Sequence, residues 1–160
     1  MLIKTLIAAA LVVVTVAMHA VGLDVLLRAI MRSHALDRSG FRPVTGMVIG
    51  LTCWLILIHS AEICVWGLFY FWQGCLPDAE SAFYFSGVTY TTVGYGDLVL
   101  PKPWRALAPL EALTGILMCG LSTGLFFALV SRWISNWMKT KPSSEPQPRA
   151  PVTPTAPRDK

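Results

Sequence analysis

The sequence predicts an all-α membrane protein: three transmembrane helices, with a short re-entrant helix and a loop between the second and third. Three observations lead there. First, 54% of the 160 residues are hydrophobic and only 14% are charged, too apolar a balance for a soluble domain of this length. Second, the charges are segregated. Arg28, Arg32, Arg38 and Arg42 share one connector, while Arg132, Lys139, Lys141, Arg149, Arg158 and Lys160 crowd the C-terminal end. Third, crossing about 30 Å of hydrocarbon takes roughly 20 helical residues, and three apolar stretches are that long.

The first stretch runs from about Thr5 to Leu27 and, with the basic connector, makes up residues 1–43. Residues 1–20 also have the look of a secretory signal: Lys4, an apolar run, then Ala17 and Ala20. Removing them would turn the later segments against the arginine bias, so the first span is expected to remain. The second stretch covers 44–72 and the third 104–137. Both exceed the required length, which predicts tilt or protrusion. Trp72, Trp104, Trp133 and Trp137 lie at the ends of these stretches, where interfacial anchors belong. Residues 139–160 close the chain. Six prolines between Pro142 and Lys160 leave too little apolar material to fold, so a disordered tail is expected.

Residues 73–103 are too short and too broken for another crossing. Pro77-Asp78-Ala79-Glu80 reads as a helix start, because Asp78 can accept from free N–H groups and acidic side chains suit the positive dipole end. A helix over 79–90 would dip part-way into the bilayer, and residues 91–97 would return from its C-terminal end. Non-helical backbone at that depth is tolerated only where protein buries it or it lines a water-filled path.

The returning segment is Thr91-Thr92-Val93-Gly94-Tyr95-Gly96-Asp97. A cation leaves its water shell only where other oxygens replace water, and a ring of backbone carbonyls can do so. Turning successive carbonyls to one side requires angles that residues with a Cβ resist, and Gly94 and Gly96 stand where that relief is needed. This string is close to a full copy of the potassium-channel selectivity filter. From about Thr45 to Trp137 the chain resembles the two-helix pore module of bacterial potassium channels, the group often labelled ion-channel-2. The extra N-terminal span is similar to that of small three-span members.

The resemblance implies a pore domain over 44–138 in which Thr92, Val93, Gly94 and Tyr95 coordinate K⁺ as the permeant ion, with no other cofactor. Thr91, Gly96, Asp97, Tyr84, Phe85 and Val88 would support the filter, Asp97 by anchoring its outer end. The Tyr95 ring would turn away from the axis toward Tyr84 and Phe85. With one filter per chain and no internal repeat, a closed ring implies a homotetramer. Two departures stand out. Val88 occupies a position where some relatives have a glutamate that pairs with the filter aspartate, and residues 98–103 place their prolines differently.

Other residues allow more than one role. Gly115 and Gly120 are candidate hinges for an inner gate, or small residues that let helices approach closely; Gly46, Gly50 and Gly124 read as packing positions. His59 and Glu62 lie one turn apart, and ionisable groups at membrane depth seldom face lipid. A polar brace including Glu111 is the preferred reading, with a proton sensor as its rival. Two ligands on one helix do not complete a metal shell. His19 and Asp24 are placed toward the bundle or its cytoplasmic edge. Cys53, Cys64 and Cys119 fall in apolar runs, and Cys75 alone is expected near water, as a free thiol.

The arginine bias puts the connector and the tail in the cytoplasm and the 91–97 loop outside, in a cell membrane. Arg28, Arg32, Arg38 and Arg42 serve orientation first, with anionic headgroups as further partners; nucleic acid is not one. No paired carboxylates, nucleophile–base set or phosphate loop appears, so an enzyme is not expected. Passive K⁺ conduction is the function implied, and a non-conducting or regulatory subunit of a larger channel or uptake complex is the alternative.

Overall fold

The computed structural model describes residues 2–32 and 41–140, and these form four helices in chain order: α1 (Leu2–Arg32), α2 (Phe41–Trp72), α3 (Ala79–Tyr90) and α4 (Leu107–Thr140). Arg38 and the 141–160 tail lie outside the described residues, as do the side chains of Arg42 and Trp137. Helices α1, α2 and α4 are each long and apolar enough to cross a membrane. They leave side chains such as Leu113, Ile116, Leu117, Leu121 and Phe127 more than half exposed, a surface that water does not tolerate but lipid or another chain does.

Bounds differ from the sequence reading mainly where prolines act. Helix α4 begins at Leu107 rather than Trp104. The preceding residues close in turns instead, with the Trp104 N–H donating to Pro101 O at 2.9 Å and the Leu107 N–H to Trp104 O at 2.9 Å. Pro103 has no N–H to give a helical ladder, and Pro109 then falls in the first helical turn, where a missing N–H costs little. For the same reason α2 starts at Phe41 and accommodates Pro43. Helix α3 opens on Asp78, whose carboxylate accepts from the Ser81 N–H at 2.8 Å and from the Ser81 hydroxyl at 3.1 Å.

Along α1 the buried residues are Ala8, Thr15, His19, Leu26 and Ile30. Their steps of seven and four keep one stripe facing the other helices. That stripe crosses three layers. At one end Ala8 joins Trp66, Tyr70, Leu76, Ala82, Phe85 and Leu107; at the other Leu26 and Ile30 join Leu51, Leu55, Ile58 and Leu129. Between these apolar layers lies a polar one, from which Thr15 and His19 project. Trp66 donates its indole N–H to Thr15 Oγ1 at 3.0 Å. Helices α1 and α2 meet closely at Gly22, whose missing Cβ would come within 2.7 Å of Ile58 Cδ1.

Cys75 departs from expectation. It is buried in the first apolar layer beside Leu76, and burial pushes its thiol above the usual range. Arg28 instead reaches Asp24 at 2.8 Å, both side chains being more than half exposed. That pair braces the outside of α1 rather than its buried stripe.

Candidate functional site

Helix α3 ends at Tyr90, and the chain turns out of it by reusing the last carbonyls of the helix. The Thr91 N–H donates to Gly87 O (3.1 Å) and the Thr92 N–H to Thr89 O (2.9 Å). The Gly94 N–H reaches back to Val88 O at 3.0 Å, so Val88 holds the loop through its carbonyl. Positive φ values then occur at every second residue: Thr92 at 61°, Gly94 at 52° and Gly96 at 75°. For Gly94 and Gly96 this is the freedom expected of glycine. Thr92 was not anticipated, because a β-branched residue in the left-handed region is strained by about 1–3 kcal/mol.

At the far end of the loop, Asp97 accepts from the Tyr84 hydroxyl at 2.8 Å and from the Leu98 N–H at 3.0 Å. This hydrogen bond holds the Tyr84 phenol above its ordinary range. Tyr84 sits one turn before Val88 and supplies the partner that Val88 lacks the chemistry to provide. Phe85 corrects the expected aromatic cuff. It is buried with its ring edge-on to Tyr70, centroids 5.4 Å apart, because α3 turns this face to α2. The Tyr95 ring is 72% exposed and Val93 is 51% exposed, so the loop side chains find no cover within their own chain.

Behind the loop lies the polar layer, which gathers groups from all four helices. Glu111 on α4 is fully buried and accepts from Tyr70 Oη at 2.7 Å and Ser86 Oγ at 2.5 Å. Glu62, also fully buried, accepts from the Tyr90 hydroxyl and lies 2.8 Å from His19 Nδ1. His59 Nδ1 is 2.9 Å from Tyr90 Oη, and its Nε2 is 3.1 Å from Ser122 Oγ. The same Ser122 oxygen lies 3.3 Å from His19 Nε2. Glu111 and the His59–Glu62 pair therefore keep separate sets of hydrogen-bond partners.

Residues 58–132 match a family model described as "Ion channel". They belong to that ion-channel family. No curated protein and no solved structure matches the chain. The family is one of channels rather than enzymes, and with three apolar helices this is a multi-pass membrane protein. The matched part of the channel contains α3, the loop, His59, Glu62, Tyr90, Glu111 and Ser122, but not α1 or His19.

Sequence reasoning placed His19 only loosely and passed over Tyr70, Ser86, Tyr90 and Ser122. For His19 a signal existed, since it shares the buried stripe of Ala8, Thr15 and Leu26 on the channel's first helix. The others carried none, because a Ser or Tyr in an apolar helix does not name its partner. His19 also supplies a third metal-capable side chain: ligand atoms of His19, His59 and Glu62 all lie within 4.8 Å of one another. Every one of those side chains is engaged by its neighbours, and among the described residues no buried side-chain polar atom lacks a partner. Hydrogen bonding accounts for the cluster without an ion.

Gly115 separates from Gly120 on geometry. A Cβ on Gly115 would overlap the Tyr90 carbonyl oxygen more closely than real Cβ contacts occur, and would lie 3.0 Å from Tyr90 C. Gly120, Gly124, Gly46 and Gly50 have nothing within 4 Å of that position.

Proposed function

We propose that this protein is a potassium-selective channel conducting K⁺ passively, with four copies joining their 91–97 loops around one axis. The observation that carries the reading is the change of backbone hand at Thr92, Gly94 and Gly96 within Thr-Thr-Val-Gly-Tyr-Gly-Asp. In an extended chain successive carbonyls point to opposite sides; reversing the hand at alternate residues turns them to one side. Carbonyls of Thr92, Val93, Gly94 and Tyr95 then form rungs that replace water around a dehydrated cation. In this reading α3 is a re-entrant pore helix, and the negative end of its dipole favours a cation nearby.

Further support comes from what one chain leaves open. Val93 and Tyr95 are exposed beside a loop pinned at Asp97 by Tyr84, an arrangement that neighbouring copies would cover. Gly120, facing open space, is available for an inner gate or for helix packing between copies, whereas Gly115 is committed to α3. The basic bias of the connector supports a cytoplasmic side for Arg28 and Arg32, where anionic headgroups would be partners.

The test is reconstitution of purified protein into liposomes, with K⁺ and Na⁺ uptake compared and subunits cross-linked in the same lipid. Potassium uptake well above sodium uptake, with a cross-linked ladder reaching four chains, is expected. Equal uptake of both ions, or a ladder ending at two, would overturn the reading.

A further inference from the structure

The polar contacts around Glu62 close into a ring. Five links connect Glu62 Oε1 to His19 Nδ1, His19 Nε2 to Ser122 Oγ, Ser122 Oγ to His59 Nε2, His59 Nδ1 to Tyr90 Oη, and Tyr90 Oη to Glu62 Oε2. Each link needs one hydrogen. Tyr90 and Ser122 bring one each, and a neutral imidazole brings one. With Glu62 ionised, that makes four hydrogens for the five links.

We propose that this ring is a one-proton binding site, whose occupancy locks α1, α3 and α4 onto α2. The extra proton can be written in two places. On Glu62, the carboxylic acid donates to His19 Nδ1, His19 Nε2–H to Ser122, Ser122 to His59 Nε2, His59 Nδ1–H to Tyr90, and Tyr90 back to Glu62. On His19, the imidazolium donates from both nitrogens and Glu62 is a carboxylate. The two forms differ only in where one proton sits along the 2.8 Å His19–Glu62 link, and both leave the ring without net charge. Withdrawing that proton sets two lone pairs against each other in one link. It also leaves an uncompensated carboxylate in a fully buried position, which is costly.

The ring borders a crevice and adjoins the loop. A crevice of about 290 Å³ between α2 and α4 reaches His59 and Ser122, with Thr52 and Cys119 also on its wall. Water at about 30 Å³ per molecule fits there several times over. Tyr90 is the last residue of α3, so what happens at its hydroxyl bears on the first residue of the loop. The titratable groups facing the ring are His19 from α1, His59 and Glu62 from α2, Tyr90 from α3, and Cys119 and Glu111 from α4. His59 Nδ1 lies 3.3 Å from Glu62 Oε2 as well, a second contact to the carboxylate.

The site is formed only in the folded protein, and unfolded histidines hold protons only below about pH 6.5, so above that range its stabilisation is lost as pH rises through the site's own value. Thermal unfolding of the full chain in lipid nanodiscs, read across about pH 7 to 9, above the ordinary histidine range, tests this. The wild type is expected to unfold at lower temperature as pH rises, with the dependence of one proton: a tenfold change in the loaded-to-empty ratio per pH unit. Glu62→Gln supplies the fifth hydrogen from its amide and cannot lose it. It should unfold near the wild type's temperature at about pH 7 throughout that range. In a Glu111→Gln background, which removes a second buried carboxyl, the difference between Glu62 and Glu62→Gln should remain, and Cys119→Ser should keep the wild-type profile.

The proposal is overturned if Glu62→Gln retains the wild-type pH profile, if the difference it makes vanishes in the Glu111→Gln background, or if Cys119→Ser abolishes the profile. Destabilisation of Glu62→Gln at every pH would reject it too. A wild-type profile that moves on adding a chelator would assign the cluster to a metal ion instead. Because unfolding needs no ion flow, failure of the channel reading would appear separately, as absent K⁺ uptake with the pH profile intact.

Discussion

Replacing Gly115 by alanine inserts one methyl group where α4 passes the end of α3. The new Cβ would collide with the Tyr90 carbonyl oxygen and stand 3.0 Å from its carbon and 3.2 Å from its Cδ1. Two of those three atoms are backbone, held by the helix that carries the loop, so no rotamer change relieves the contact. Overpacking of this kind costs about 1–3 kcal/mol, and a backbone obstacle argues for the upper half. Alanine's better helix propensity returns up to about 1 kcal/mol. The net loss is then about 1–2 kcal/mol, or roughly 2–8 °C in unfolding midpoint for a chain of this size. Gly120→Ala is the internal control, since its Cβ meets nothing within 4 Å and should leave the midpoint unchanged or raise it. Thermal unfolding of both variants in one lipid, followed by intrinsic tryptophan fluorescence, gives the comparison. If Gly115→Ala unfolds no earlier than Gly120→Ala, the close approach of α4 to Tyr90 is wrong.

Three further outcomes can be checked. Gly94→Ala, which places a Cβ on a residue at φ 52°, should abolish K⁺ uptake into liposomes while the protein still inserts; uptake at the wild-type rate would refute the carbonyl-ring reading. Tyr70→Phe leaves buried Glu111 with Ser86 as its one remaining hydrogen-bond donor and should cost about 1–3 kcal/mol. Pairing it with Glu111→Gln should recover part of that loss, and strictly additive losses would deny the interaction. The Tyr84 phenol is held above its ordinary value by Asp97, so its contribution is intact below the unbound phenol range of about pH 10 and is lost as pH rises through the raised value. Tyr84→Phe should therefore remove an alkaline limb from the unfolding profile, and an unchanged limb would place its cause elsewhere.

Asp78 illustrates what local chemistry makes legible. A carboxylate just before Ala79-Glu80-Ser81 caps whatever helix follows, and it does so here through the Ser81 N–H. Glycines in the 91–97 loop belong to the same class, since positive φ is a property of the residue itself. Thr92 does not, because its left-handed angle is imposed by the turn out of α3 and by the 2.9 Å bond to Thr89 O. Phe85 shows the opposite failure. Its place in the motif suggested cover for Tyr95, but packing on Tyr70 turned it into the core.

The amino-acid sequence by itself determined three apolar spans, a capped short helix and a loop whose backbone can change hand. Each follows from short-range properties: hydropathy over some twenty residues, side-chain capping, and the absence of a Cβ. Only the tertiary structure decided which polar groups meet between the apolar layers. His19 and Ser122 are 103 residues apart in the chain and 3.3 Å apart in space, and no periodicity within one helix encodes that meeting. It arises because burying the apolar layers on either side leaves the polar groups between them no partner but one another.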